Sequence, residues 1–166
     1  MIETLVAKKR RASNIYALLK SKYPNSRSPL NYHKAYELLI ANILLEDSNY
    51  DQVNTVTKEL YKKYQSIIDF AYCNVESLEN DLGIMAGQKQ KAQNIIQACL
   101  IIIDGYKSVL PTSLDSLIKL PGIEADSANM ILSEIYNIPF VVLDSHIIRI
   151  IKLLEFTRSD ELVKIR

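Results

Sequence analysis

The stretch Leu120-Pro121-Gly122-Ile123-Glu124-Ala125-Asp126-Ser127-Ala128-Asn129 says more about the fold than any other part of the chain. Gly122 favours a tight turn there, because glycine adopts a positive φ without the steric cost of a Cβ. Glu124 and Asp126 suit the first turn of a helix, where the helix dipole favours acidic side chains. Residues 113–119 and 125–136 are therefore expected to form two helices that flank this turn.

The rest of the chain also has helical periodicity, and no strand pattern competes with it. Only four glycines and five prolines interrupt a sequence that is rich in helix-forming residues. The segment 36–45 is apolar nearly all round and predicts a buried central helix. Further helices are expected at about 3–23, 51–64, 75–82, 91–103 and 144–154, and from Ser159 onward. The fold class is therefore all-α.

Length and composition exclude some classes of protein. With 166 residues, 48% of them hydrophobic, the chain can bury one core or two small lobes that share a groove. Its apolar runs, such as 98–103, are too short to cross a bilayer, and its first residues lack the pattern of a secretory signal. We therefore expect a cytoplasmic protein without a membrane partner. In that compartment Cys73 and Cys99 are expected to be free, buried thiols.

The net charge of +1 hides an uneven distribution of charges along the chain. Residues 1–34 carry a net charge of +7, whereas the rest of the chain carries −6. The basic arm is suited to phosphate groups, although a solvated helix face explains the same pattern. An acidic body is unexpected in a protein that wraps a polyanion. The arm's central basic residues are Lys8, Lys9, Arg10 and Arg11.

The opening stretch and Leu143-Asp144-Ser145-His146 together resemble the helix-hairpin-helix signature of DNA glycosylases related to endonuclease III. Asp126 and Asp144 are 18 residues apart, which agrees with the spacing of the family's two key positions. The resemblance runs from about Arg11 to the last residue. Weaker matches follow in the family's order: Ile15-Tyr16-Ala17-Leu18-Leu19, Tyr23-Pro24-Asn25-Ser26-Arg27, Glu37-Leu38-Leu39-Ile40-Ala41, Val53-Asn54, Lys91-Ala92-Gln93-Asn94-Ile95-Ile96 and 117–122.

This resemblance implies the all-α helix-hairpin-helix DNA glycosylase fold. Residues 1–30 are then a basic N-terminal helix of a second lobe, 31–140 the helical core, and 141–166 the start of the C-terminal lobe. The hairpin is expected at about 114–136. Many family members end in four closely spaced cysteines that hold an iron–sulfur cluster. Since this sequence stops at Arg166 without them, we expect a fold that is truncated at the C-terminus and lacks the iron–sulfur lobe.

In the family, the hairpin's glycines let backbone N–H groups approach a DNA phosphate. By resemblance, Gly122, Ile123 and Ser127 are the DNA-binding candidates of this hairpin, together with the basic arm Lys8–Arg11. Glu124 takes the position of the second glycine and brings a negative charge. A carboxylate about 4 Å from a phosphate opposes binding by roughly 1–4 kcal/mol. The same acid stabilises the first helical turn, so stability explains the substitution equally well.

The resemblance also places Asp126 where bifunctional members carry the lysine that attacks the sugar. A carboxylate cannot form the Schiff base, so AP lyase activity is not expected. Asp144 matches the aspartate that monofunctional members use together with an activated water, and it is the candidate catalytic residue. Asp144 is equally suited to cap the N-terminus of its own helix, and the two roles are compatible.

Glycosylases fill the gap left by an extruded base with inserted side chains. The resemblance assigns this role to a base-probing loop of Asp47, Ser48 and Asn49, in which Asp47 replaces the family's wedge glutamine. Four acids then lie at or beside positions that face DNA in the family: Glu46, Asp47, Glu124 and Asp126. This pattern predicts weak binding of double-stranded DNA or a changed partner.

No metal or other cofactor is expected from these residues. Two separated cysteines do not supply the thiolates of a cluster, and His33 and His146 lack the spacing of metal ligands. The N-terminal helix is expected to expose apolar surface where the family's C-terminal helices pack. Such a surface favours a homodimer or a protein partner that covers the missing lobe.

Three hypotheses about function stay open. The chain is a monofunctional DNA repair glycosylase that uses Asp144, an inactive relative that binds DNA or a protein through its basic arm, or a product that retains the core without a present function. An assay on damaged duplexes separates the first hypothesis from the others. The salt dependence of DNA affinity separates the second from the third, because phosphate contacts weaken steeply as salt rises.

Overall fold

The computed structural model describes residues 3–24, 26, 28–83, 85–140 and 145–157 of the chain. These residues form nine helices and contain no strand, which confirms the all-α prediction. Within them, no helix combines the length and the apolar character that a membrane span needs. The helices are α1 (Leu5–Lys22), α2 (Ala35–Leu45), α3 (Tyr50–Lys63), α4 (Ile67–Ala71), α5 (Val75–Leu82), α6 (Gln88–Tyr106), α7 (Leu114–Leu117), α8 (Ala125–Tyr136) and α9 (Ser145–Leu153).

The helices divide between two compact units. One unit is the continuous segment Ser28–Phe140, which contains α2 to α8. The other combines Met1–Arg27 with Val141–Arg166 and contains α1 and α9.

The core of Ser28–Phe140 is built around α2. Its residues Glu37 to Leu44 are all buried, which confirms the buried central helix predicted for 36–45. A helix that is buried on all its faces needs neighbours on every side, and α2 packs against α3, α6 and α8. The longer helix α6 packs on α4 and α5 as well, so α2 and α6 are shared by most of the core.

Side-chain caps set the starts of several helices in this unit. Asn49, Asn74 and Ser113 each accept a hydrogen bond from a backbone N–H in the first turn of the following helix. The helix α4 was not predicted, because five residues are too few to establish a helical period. Its available signal was the capping box, in which Ser66 and Asp69 bond to each other's backbone N–H.

In the second unit, α1 follows the cap Thr4 and contains no buried residue. Its apolar side chains are largely exposed, with Leu5 68% and Leu18 70% accessible. The helix predicted from Asp144 is described as α9 from Ser145 onward. Asp144 itself and the last helix predicted from Ser159 lie outside the described residues.

Candidate nucleic-acid interface

The turn between α7 and α8 depends on Gly122. Its φ of +77° lies in the left-handed region that favours glycine. A Cβ at this position would also meet the side chains of Ile43 and Asn94, each at 3.0 Å. Two features therefore require glycine at position 122: the backbone conformation of the turn and its close approach to α2 and α6.

The first residues of α8 and its N-cap Glu124 are exposed to solvent. Glu124 is the N-cap, and its φ of −90° is one that any residue adopts. The second glycine of the family's pattern is therefore not needed here for a positive φ, and Glu124 causes no backbone strain. What Glu124 adds is a Cβ and a charge, since its side chain is exposed and does not cap the helix.

The other hairpin candidates lie in different surroundings. The side chain of Ile123 is buried, and its N–H donates to the carbonyl of Leu120 at 3.1 Å, so its phosphate contact stays a prediction. Ser127 is half-buried in the first turn of α8. Asp126, which the resemblance places at the position of the family's lysine, is exposed in the same turn. Its role, like that of Ser127, stays a prediction.

The base-probing loop begins where α2 ends. Asp47 has a φ of +52°, an uncommon conformation for a residue other than glycine, and its side chain is exposed. The N–H of Ser48 donates to the carbonyl of Leu45 at 3.0 Å. Asn49 is the N-cap of α3, and its side chain accepts from the N–H of Gln52 at 2.9 Å. The predicted probing residues therefore form the connection between two core helices.

One lysine that the sequence analysis did not single out as a site residue holds this loop. Lys91 on α6 is only 4% exposed, and its ammonium bonds to the carbonyl of Leu44, the carbonyl of Glu46 and the hydroxyl of Ser48. Burial lowers the pKa of Lys91, while the nearby carboxylates of Glu46 and Asp47 oppose that shift. A charged residue on an otherwise apolar helix face was the signal available in the sequence.

The hairpin and the base-probing loop meet the same short segment of α6. Gly122 lies against Asn94, and the loop is bonded to Lys91, one turn earlier on the same helix. Asn94 is itself held by a hydrogen bond from Gln90 at 2.9 Å. The structure therefore brings together two of the predicted DNA-facing elements on Ser28–Phe140 through one helix.

The four basic residues of the arm fall into two pairs. Lys8 donates to the carbonyl of Phe156 at 2.5 Å, and Arg11 bonds to the carbonyl of Leu154 and stacks 4.5 Å above the Phe156 ring. Both side chains thus bind carbonyls that follow α9. Lys9 and Arg10 are exposed. Of the arm, these two are the better candidates for a phosphate.

The two cysteines do not fit the iron–sulfur cluster that many family members hold. Cys99 is fully buried inside α6, and burial raises the pKa of its thiol to about 12. Cys73 donates to the carbonyl of Phe70, and burial raises the pKa of this thiol too. Such a cluster is held by four cysteine thiolates, whereas Cys73 and Cys99 are two free cysteines, and Cys73 is half-buried rather than buried as predicted. Over the described ranges, no group of three or more His, Cys, Asp or Glu side chains is placed to hold a metal ion.

The chain is similar in sequence and fold to several endonuclease III proteins. The endonuclease III of Synechocystis sp. is 29% identical over 166 residues, which cover 99% of this chain and 76% of that protein. A solved non-covalent complex of endonuclease III with DNA superposes with a TM-score of 0.78 at 31% identity. It covers 98% of this chain and 74% of the other.

A second solved structure, a trapped covalent intermediate of endonuclease III with DNA, is 32% identical with a TM-score of 0.76. That match covers 92% of this chain and 73% of the other. The family described as the HhH-GPD superfamily of base excision DNA repair proteins matches residues 40–165, which is most of the chain. The chain therefore belongs to the HhH-GPD superfamily of base excision DNA repair proteins.

Proposed function

We propose that this protein is a DNA glycosylase of base excision repair that releases a base without forming a Schiff base. Membership of the superfamily supports the reaction class. The absence of a Schiff base is inferred from Asp126, an exposed carboxylate in the first turn of α8. One similar chain forms a covalent intermediate with DNA. A carboxylate offers no amine to make an imine, so that route is closed at this position.

Asp144 is the residue to which we assign the chemistry. In the proposed reaction the bond between the base and the sugar breaks, and the leaving base takes the electron pair and then a proton. The carboxylate of Asp144 stabilises the positive charge that develops on the sugar and accepts a proton from the attacking water. Water adds to the sugar carbon, and an abasic site and a free base are the products.

Double-stranded DNA is the partner that we propose, and we expect it to bind weakly. Gly122 and the N-terminal turn of α8 offer backbone N–H groups and the positive end of a helix dipole to a phosphate. The exposed carboxylates of Glu124 and Asp126 lie in the same turn and oppose that contact.

A second function, DNA or protein binding without turnover, is favoured by the charge of the candidate interface. Glu46, Asp47, Glu124 and Asp126 are all exposed, and all four carry the charge of the phosphates that they would face. An interface that has changed in one direction at four positions fits a protein whose partner is no longer a DNA duplex. The exposed apolar side chains of α1 likewise keep the prediction of a homodimer or a protein partner.

Base release from a panel of duplexes, each with one damaged or mismatched base, tests the proposal. We expect the wild-type protein to release a base from at least one duplex, and the Asp144→Asn variant to lose about a hundredfold or more of that rate. Asp104→Asn, an exposed acid on α6, is the matched control and should keep the full rate. If no duplex in the panel loses a base, the binding function takes the place of the glycosylase.

A further inference from the structure

The C-terminus of α2 lacks the usual way of satisfying its carbonyl groups. The last carbonyls of a helix have no partner within the helix and are often closed by a glycine in the left-handed conformation. Here the C-cap is Glu46, whose φ of −53° and ψ of 126° are neither helical nor left-handed. A donor from elsewhere in the fold is needed at this end.

The side chain of Lys91 supplies that donor, although Lys91 lies 47 positions after Leu44 in the sequence. An ammonium group has three N–H donors, and three oxygens receive them. The carbonyl of Leu44 and the hydroxyl of Ser48 lie 3.1 Å from Nζ, and the carbonyl of Glu46 is the third acceptor. The positive charge also lies at the negative end of the α2 dipole, where a cation is favoured.

These bonds enclose the most unusual residue of the loop. Asp47 has a φ of +52°, and Lys91 binds the residues on both sides of it, Glu46 and Ser48. A residue in this conformation persists only where its surroundings determine it. The position of Asp47 is the one that the resemblance assigns to the base-probing side chain.

Burying a lysine in a helical core is costly unless its charge is satisfied, and a methionine of similar shape would fill the space without that cost. We propose that Lys91 is a positioning residue, whose ammonium fixes the loop of residues 46–49 in the conformation that probes the DNA duplex. The effect of Lys91 on DNA probing rests on the proposed DNA function. Its role in holding the conformation of the loop is independent of that function.

Four variants test the proposal in the full-length protein. Lys91→Met removes the ammonium and keeps the length of the side chain, and Lys91→Arg restores a cation. Ser48→Ala removes one acceptor at a half-exposed site and does not threaten the core. Lys89→Met is the matched control, because Lys89 is exposed two residues earlier on α6.

Hydrogen exchange in the absence of DNA is the first measurement. We expect the backbone amides of residues 46–49 to exchange at least about tenfold faster in Lys91→Met, and faster by a smaller factor in Ser48→Ala, with the rest of Ser28–Phe140 unchanged. Lys91→Arg should restore slow exchange, and Lys89→Met should match the wild type. Unchanged exchange in the loop of Ser48→Ala and Lys91→Met overturns the proposal. Should Lys91→Met fail to fold, Ser48→Ala and Lys91→Arg decide the question.

Discrimination between duplexes is the second measurement. The ratio of affinities for an abasic and an intact duplex should fall about tenfold in Lys91→Met, while the affinity for the intact duplex changes less than about twofold. A merely structural role would lower both affinities together, and that result contradicts a positioning role. If the wild-type protein itself shows no discrimination, the proposed DNA function fails, and the exchange measurement still decides the role of Lys91.

Discussion

By resemblance, Gly122 and Glu124 occupy the two hairpin positions at which the family's pattern has glycine. Gly122 has a positive φ and touches Ile43 and Asn94, so the turn requires it. Glu124 has an extended backbone that makes no such demand. The turn therefore keeps its shape while the charge beside it has changed, which separates the stability of the hairpin from its affinity for a phosphate.

The first prediction concerns the stability of the turn. Gly122→Ala should lower the free energy of unfolding by about 1–3 kcal/mol, because the left-handed backbone is strained and the new Cβ meets α2 and α6. Gly83→Ala should cost less, since its φ is also positive but no atom lies within 4 Å. Gly105→Ala, inside α6 with open space around it, should be neutral or stabilise by up to about 1 kcal/mol. Urea unfolding measures all three, and an equal cost at Gly122 and Gly83 would refute the destabilising contact of the new Cβ with α2 and α6.

The second prediction concerns the charge of the hairpin. Replacing Glu124 by Gln and Asp126 by Asn removes two negative charges without altering the backbone. Affinity for an abasic duplex at moderate salt should rise by roughly 1–3 kcal/mol, about tenfold or more.

The variant Glu76→Gln/Asp104→Asn removes the same net charge from exposed sites on α5 and α6, and its affinity should rise much less. Fluorescence anisotropy measures both double variants. Equal gains would mean that net charge, and not the hairpin, governs binding.

Among the elements, the helices with long apolar periods could be predicted and the contacts between loops could not. The boundaries of α5 and α8 agree with the predicted ranges, because both begin at a polar cap and carry an apolar stripe. The bond from Lys91 to the loop after α2 joins residues far apart in sequence, and no local pattern reports such a contact. The division of the basic arm into two pairs could not be predicted either, because Lys8 and Arg11 bind carbonyl groups that are far away in the sequence.

The third prediction follows from that division of the arm. Lys9 and Arg10 are exposed, whereas Lys8 and Arg11 bind carbonyls that follow α9. Replacing Lys9 and Arg10 by Ala should lower the slope of log affinity against log salt by about 1 to 2, since each lost phosphate contact removes roughly 0.9. Replacing Lys8 and Arg11 should mainly loosen α9 in hydrogen exchange. If the salt slope falls on replacement of Lys8 and Arg11 instead, these two side chains bind DNA phosphates despite their contacts with carbonyl groups, and the prediction is wrong.

For the molecule as a whole, the family could be predicted from the sequence, whereas the packing of the candidate-site segments on α6 could not. The glycine turn and the order of weaker matches were sufficient to predict the helix-hairpin-helix fold, which the superfamily match over residues 40–165 confirms. The candidate site was predicted only as separate segments. Packing of the hairpin and the base-probing loop on Lys91 and Asn94 of α6 depends on tertiary contacts that a single sequence does not specify.

We propose that base release by this protein proceeds without a covalent bond between the protein and the sugar. Borohydride trapping on an abasic duplex, read by the mobility of labelled DNA on a denaturing gel, detects such a bond. The wild-type protein should form no adduct, because a carboxylate stands at position 126. The Asp126→Lys variant restores an amine at that position and is the positive control. An adduct with the wild-type protein would rule out this mechanism and would show that another amine of this chain acts as the nucleophile.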